Sequence, residues 1–260
     1  MTGPGKYLYC IIACAEARTF EDVVPVGNGD GVVHTVPHNG LAAVVSESPS
    51  TEYESTRANM VAHERIQERV MREYTLLPVR FGTVARSASP IQAIGKLLEK
   101  RSREFEQRLG EVAGKVELGV KALWREEKAV YEEILVENAA IRRLRNSLTG
   151  RPAAALRFEA LPLGEMVKDA LEQKKKREAM DLLAPLRRIA CGVRENDIIV
   201  DRMVLNAAFL TDEDRQEEMD RAVSKLDDEL GRRLSFRYTG PNPPWNFVEI
   251  VVNWKDILQE

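Results

Sequence analysis

Chemistry in this 260-residue chain would have to come from a glycine cluster, three histidines or a basic run, because these carry the reactive types at close spacing. Gly27, Gly29 and Gly31 suggest a phosphate cradle, since a glycine-rich loop opening a helix offers backbone N–H groups to an anion. They do not space as G-x-G-x-x-G, no Walker lysine follows, and Val32 to Val36 reads as strand, so a hairpin turn is expected. His34 and His38 could meet on one side of a strand, but they supply only two ligands, Pro37 separates them, and no Cys or carboxylate nearby completes a zinc-like set. No metal is expected. His63 sits among charges on an amphipathic segment and is expected to hydrogen-bond a carboxylate at the surface or a domain interface, not to act as a general base. The run Lys174-Lys175-Lys176-Arg177, flanked by Glu172 and Glu178, reads as a solvated helix face.

No Ser-His-Asp or Cys-His set falls on a nucleophile elbow or helix-start motif. The abundant carboxylates lie on charged helix faces such as Arg125 to Glu133, where i,i+4 pairing explains them. The chain is therefore expected not to be an enzyme, with no catalytic residue and no cofactor. Lys plus Arg number 38 against 41 Asp plus Glu, giving a net charge of −3. At a sequence pI near 5.9 no global positive field gathers nucleic acid or an anionic membrane. The apolar runs Tyr7 to Ala15 and Ile198 to Leu210 fall short of the about 20 residues a membrane span requires. The first of them lacks a convincing cleavage site and reads as a first strand. Cytoplasmic residence is expected. Cys10, Cys14 and Cys191 cannot build a disulfide framework and are read as reduced and structural.

The elements that must position these residues sort into two domains, 1–112 and 115–260. Tyr7 to Ala15 is apolar on both alternating faces, the pattern of a strand buried on both sides and central in its sheet. Val32 to Val36 and Leu41 to Val45 flank His38-Asn39-Gly40, a hairpin signal. A helix is expected over 55–74, then a β-rich stretch over 76–84, with Pro78 at a strand start, edge or bulge because it lacks a donor. Ser89-Pro90 opens a further helix running to Gly110 and Gly114. The second domain reads as strand (Val116 to Trp124), long helix (Glu126 to Leu148, stopped by Gly150 and Pro152) and second long helix (Pro162 to Cys191, kinked or interrupted at Pro185). A strand or strand pair over 198–210, a helix with a capping box at Thr211 to Asp214, a strand from Leu234 and a last strand from Trp245 to Trp254 complete it. The fold class is α+β: an N-terminal mixed sheet with two helices, and a modified ferredoxin-like sandwich whose first connection is an enlarged helical insertion.

Two segments stand out. Leu77-Pro78-Val79-Arg80-Phe81-Gly82-Thr83-Val84 alternates as a strand with Val79 and Phe81 on one face and Arg80 on the other. Tyr238-Thr239-Gly240-Pro241-Asn242-Pro243-Pro244-Trp245-Asn246-Phe247-Val248 sets three prolines and a glycine in a rigid break that presents aromatics beside preformed backbone, which lowers the ordering cost of binding another chain. With the opening Tyr7-Leu8-Tyr9, the Asn39 to Ser46 arm, His63 and Leu205-Asn206-Ala207-Ala208-Phe209-Leu210, these segments make the chain resemble, over nearly its full length, the F/L family of gas vesicle accessory proteins (GvpF/GvpL). It departs at Asn242, where an aromatic is frequent, and at Trp245-Asn246, where Tyr-Ser is common.

The resemblance implies a non-enzymatic assembly factor or minor component of gas vesicles, located in the cytoplasm in association with them. It would bind the small hydrophobic shell protein, and other accessory proteins, and prevent premature aggregation. Pro78, Arg80, Phe81, Trp245 and Phe247 are the expected partner contacts. Neither nucleic acid nor membrane is an expected partner. The alternative is a ferredoxin-like small-ligand sensor or regulatory module.

Overall fold

The computed structural model describes residues 5–27, 31–149 and 161–259; the centre of the 27–31 glycine turn and the expected helix stop at Gly150 and Pro152 lie outside them. The chain forms two compact units, one of residues 1–117 with 241–260, the other of 118–240. The sequence division at 112/115 left 241–260 in the second domain; in the structure this tail packs within the first unit.

The first unit is built on β1 (Gly5–Ala13), which lies between β4 (Leu41–Ser48) and β5 (Leu76–Pro78) in a sheet ordered β2-β3-β4-β1-β5, with β2 Thr19–Phe20 and β3 Val33–His38. The short β6 (Val84–Ala85) also pairs with β1. Eight of its nine residues are buried, as its unbroken apolar pattern requires of a strand covered on both faces. Its pairing with β4 slips between Leu8 and Cys10, so Tyr9 is an extra residue in a bulge. The slip places Tyr7, Tyr9, Cys10 and Ile12 in one core layer with Ile66 and Val70, and Leu8 and Ile11 in the opposite layer with Ile94, Leu97, Phe105 and Leu109. The β3–β4 hairpin closes on Asn39 and Gly40, whose φ values of 48° and 85° supply the two left-handed residues of a type I′ turn.

Helix α1 (Arg57–Met71) starts at Thr56, whose side chain accepts from the Asn59 N–H, and covers one face of the sheet through Ile66 and Val70. On the other face the single helix expected from Pro90 divides at Arg101 into α2 (Pro90–Lys100) and α3 (Ser102–Val112). The break brings Ile94, Leu97 and Leu98 and then Phe105, Leu109 and Val112 onto one core layer. Gly110 lies inside α3; Gly114, at φ 65°, ends the run. The expected strand from Trp245 to Trp254 is not formed. Pro243 and Pro244, immediately before it, lack donors, and the N–H groups of Phe247 and Val248 turn back to the Pro244 carbonyl at 3.1 and 2.9 Å. One parallel bridge, Val79 to Ile250, is all the sheet pairing that remains before the short α8 (Trp254–Leu258).

The second unit carries a sheet ordered β10-β7-β9-β8, formed by β7 Lys115–Trp124, β8 Gly192–Glu195, β9 Met203–Asp212 and β10 Leu234–Asn242. Counted along the chain this is 4-1-3-2, the order of a split βαβ sandwich, so the ferredoxin-like reading of this region holds. The first crossover is helical: α4 (Glu127–Glu137), α5 (Ala139–Leu148) and α6 (Leu161–Arg187). The expected continuous helix over 126–148 breaks at Asn138, whose backbone and side-chain N–H groups both donate to the Ile134 carbonyl. The apolar run Ile198-Ile199-Val200 is an exposed loop between β8 and β9, not strand. It is set by the Asn196 N–H on the Asn206 carbonyl and the Met203 N–H on the Val200 carbonyl, at 2.7 and 2.9 Å. The capping box expected at Thr211 is absent. The Thr211 hydroxyl is buried without a hydrogen bond, a 3₁₀ turn intervenes over Glu213–Arg215, and α7 spans Gln216–Leu230.

Gly40 tests the hairpin cleanly, because a Cβ built there meets nothing within 4 Å and only the positive φ would be strained. Gly40→Ala is expected to lower unfolding free energy by about 1–2 kcal/mol, read by urea denaturation. Gly110→Ala, in open space within a helix, should instead be neutral or stabilising.

Candidate functional site

The two motif segments meet in the first unit. The Arg80 N–H donates to the Ile250 carbonyl at 3.0 Å, and the Ile250 N–H donates to the Pro78 carbonyl at 2.8 Å. Pro78, which pairs with Cys10 at the outer edge of the sheet, is buried and presents a carbonyl; its missing donor faces no sheet partner that needs one. Arg80 is exposed and its guanidinium bonds the Glu249 carboxylate at 2.6 Å. The pair holds the Glu249 carboxyl below its ordinary value, mainly through the hydrogen bond. Val79 and Phe81 do not share a face as the alternation suggested. Strand β5 stops at Pro78, so Val79 enters the core layer of α2 and α3, whereas Phe81 packs with the layer beneath α1.

Behind this junction lies a buried polar chain. Trp245 is half-buried and its indole N–H donates to Gln67 Oε1 at 2.5 Å. The Gln67 amide nitrogen donates to the Tyr9 carbonyl at 2.6 Å, so a donor-only group and an acceptor-only group fix the amide's orientation. The Gly82 N–H donates to the Tyr7 hydroxyl at 2.9 Å. The Tyr7 hydroxyl lies 3.1 Å from His63 Nδ1, and His63 Nε2 lies 3.1 Å from the Val79 carbonyl and 2.9 Å from the Gln67 amide nitrogen, so both ring nitrogens are engaged inside the protein. Tyr7, Tyr9 and Phe81 ring the imidazole at centroid distances of 5.7, 5.6 and 5.6 Å.

His63 is therefore a buried, neutral histidine that bonds a phenol and a backbone carbonyl. No carboxylate among the described residues is its partner, and it is not at the surface. Burial pushes its pKa down to about 4, against a smaller opposing effect of the Val79 carbonyl. Burial also pushes Tyr9 up to about 12 and raises Tyr7 further. Asn246 adds a second tie: its backbone and side-chain N–H groups donate to the two Glu117 oxygens at 2.7 and 2.5 Å. Burial raises the Glu117 carboxyl, with the Asn246 bonds opposing. Phe247, half-buried, packs on the α2–α3 core layer.

Gln67 and Glu117 were missed by sequence reasoning, and Tyr7 was read only as part of the first strand. The readable signal was Gln67 itself, a polar residue one turn after His63 on the stripe that holds Ile66 and Val70. The remaining histidines diverge. His34 meets the Val32 carbonyl and Lys6, and His38 meets Asn39 and Glu99. Among the described residues no three His, Cys, Asp or Glu side chains are placed to hold a metal ion, and no helix is long and apolar enough to cross a membrane.

In the second unit the basic run is turned partly inward. Lys174 is buried between Glu137 and Glu133, at 2.6 and 3.0 Å, while Arg233 pairs with Glu133 and with Glu178, the latter at 2.7 Å. Glu178 also accepts from the Trp124 indole N–H at 2.7 Å, and Lys175 lies over that ring. Burial opposes the charge on Lys174, yet the two carboxylates raise its pKa overall. Lys174 thus leaves the expected solvated face for an internal clamp joining α4, α6 and Arg233 just before β10, while Lys176 and Arg177 remain exposed.

Fold and network together define a two-unit α+β scaffold whose motif residues tie its own chain into place. From residue 5 to residue 249 the chain matches the family described as "Gas vesicle synthesis protein GvpL/GvpF", and it belongs to that family. Membership implicates it in gas vesicle synthesis. Its relatives include gas vesicle protein F of Nostoc sp., 26% identical over 95% of this chain and 98% of the relative. Gas vesicle protein F2 of Halobacterium salinarum is 29% identical over 89% of each, and the Streptomyces sp. protein F is 29% identical over 94% and 99%. The crystal structure of GvpF from Anabaena sp. PCC7120 superposes with a TM-score of 0.80 at 24% identity, over 95% of this chain and 99% of that one. The GvpF structure from Microcystis aeruginosa gives 0.76 at 23% identity over the same shares. These two likenesses establish the fold.

Trp245→Phe keeps a ring but leaves Gln67 Oε1 without its donor, and should cost about 1–3 kcal/mol in urea unfolding. His63 sets a pH dependence. Its folded pKa of about 4 lies below its ordinary 6.5, so the unfolded chain takes up a proton that the folded chain refuses. The stability His63 confers is complete above about pH 6.5 and is lost as pH falls toward 4, by up to about 3 kcal/mol. Urea midpoints of wild type and His63→Gln across pH 7.5 to 4.5 should show a shallower fall in the variant; parallel curves would contradict this account.

Proposed function

We propose that the protein acts in gas vesicle synthesis as an assembly factor or minor vesicle component that holds the small hydrophobic shell protein and keeps it from aggregating before it is built in. The observation that carries this reading is the family match over 5–249. A shell subunit with a gas-facing apolar surface exposes far more than the few hundred Å² a soluble monomer tolerates, and its free strand edges add a pairing hazard. A binder that covers either would act in the cytoplasm, on the growing vesicle, beside other accessory proteins.

Two regions suit such a task. In the second unit β8 is a short outer strand, and the loop that follows it exposes Ile198, Ile199 and Val200 at 46, 67 and 45%. An added strand could pair there and lay its apolar side chains on the loop. In the first unit Arg80, Phe81, Trp245 and Phe247 retain accessible surface at the motif junction, while buried Pro78 would act only by fixing the backbone beside them. Co-expression of the tagged chain with a gas vesicle shell protein should move the shell protein from the pellet to the soluble fraction and co-purify it. Ile199→Asp, at an exposed loop position, should reduce recovery at least severalfold without changing the melting temperature. A shell protein that stays in the pellet and never co-purifies would defeat the proposal.

A further inference from the structure

Helix α1 carries a second face that the buried network does not use. A cavity of about 1030 Å³ lies between it and the segment Asp22-Val23-Val24. Its floor is small and apolar: Val24 is 61% exposed, and Ala58, Val61 and Ala62 project from the helix beside Val23. Its walls carry four guanidiniums, those of Arg57, Arg65, Arg69 and Arg72, against the carboxylates of Asp22 and Glu68. Arg69 is already engaged by Asp22 and Glu73, at 2.8 and 2.5 Å. Arg57, Arg65 and Arg72 are exposed and have no side-chain hydrogen bond or ion pair among the described residues. Four arginines against two carboxylates leave this groove with an excess of positive charge on a chain of net charge −3. The first turn of α1 contains no acidic residue, so Arg57 adds to the positive end of the helix dipole instead of cancelling it.

The spacing specifies the shape of the occupant. Positions 58, 61, 65, 68 and 72 recur at steps of three and four, which is the seam one helix offers another. From Arg57 to Arg72 the seam runs about 22 Å, or four turns. Beyond Arg57 its first half is apolar, at Ala58 and Val61, and its second half sets Arg65 and Arg72 on either side of Glu68. We propose that this groove docks an amphipathic helix of a partner protein, about four turns long, with small apolar residues against Ala58, Val61 and Val24 and carboxylates against Arg65 and Arg72. The site shares no residue with the motif junction, and it stands whether or not the shell protein is the protein's cargo.

The test uses the full chain and a fluorescein-labelled helical peptide of about 16 residues, Ala/Leu-rich in one half of its seam and carrying Glu at seam positions in the other, prepared in both sequence directions. Anisotropy should show saturable binding of one direction that weakens with added salt. A peptide with Lys for Glu should not bind. Arg65→Glu with Arg72→Glu should weaken the acidic peptide about tenfold or more, gain the Lys peptide and leave the melting temperature unchanged. Exchange of the peptide preference between wild type and this variant is the decisive support. No binding of either acidic peptide, equal binding of acidic and basic peptides, an affinity indifferent to the double reversal, or preferential capture of a single-stranded oligonucleotide would each overturn the proposal.

Discussion

The Gln67 side-chain amide is the interaction on which the first unit's organisation turns. It is buried, so its oxygen and nitrogen must both be satisfied within the protein, and an unmet polar atom there would cost a large fraction of the stability of a domain of this size. Its nitrogen is met by the bulged central strand, at the Tyr9 carbonyl, and its oxygen by Trp245 from the far end of the chain. One side chain thus constrains helix, sheet and C-terminal segment at once. His63, one turn earlier, does the same for the Val79 carbonyl and the Tyr7 hydroxyl.

This explains why the most motif-like stretches behave as joints. The Pro-rich segment cannot enter a sheet as an ordinary strand, because it lacks the donors for a ladder. It is anchored instead through side chains and isolated backbone bonds: Trp245 to Gln67, Asn246 to Glu117 and Ile250 to Pro78. Ile250 and Ile257 then close the core layer under α2 and α3. The second unit applies a different device. Trp124, Glu178, Arg233, Glu133 and Lys174 form an alternating chain of donors and acceptors that fixes the inserted helices α4 and α6 against β7 and the start of β10. Such a network constrains geometry more than it adds stability, since desolvation offsets most of the attraction between buried charges.

Much of the fold was legible because it rests on local pattern. The two-sided burial of β1, the Asn39-Gly40 turn, the Pro90 helix start and the strands β7 and β10 of the second unit follow from periodicity, positive-φ residues and missing donors, whereas β8 (Gly192–Glu195) carries no pattern that separates it from the preceding helix. What escaped was set by partners remote in sequence. The breaks at Arg101 and Asn138 fall inside good helical patterns, and at Arg101 the guanidinium reaches Glu104 and the Val251 carbonyl, 150 residues away. The bulge at Tyr9 shows in no alternation count. The run Ile198 to Val200 reads as strand by composition, yet hairpin bonds from Asn196 and Asn206 place it in a loop. His63 was misplaced because its flanking charges lie on the other side of the helix.

That two-sidedness of α1 bears on function. Residues 63, 66, 67 and 70 face the sheet and are held on several sides, so they have little freedom to rearrange for a ligand. Residues 57, 58, 61, 65 and 72 face outward, and what they meet is not determined by the protein's own packing. A helix held this firmly from behind presents its outer side chains on a backbone that does not need to be ordered on binding, which removes part of the entropic cost of association. The buried network and the arginine-lined groove are therefore linked: the internal amide and imidazole bonds preorganise the surface on which an acidic helix would find its register.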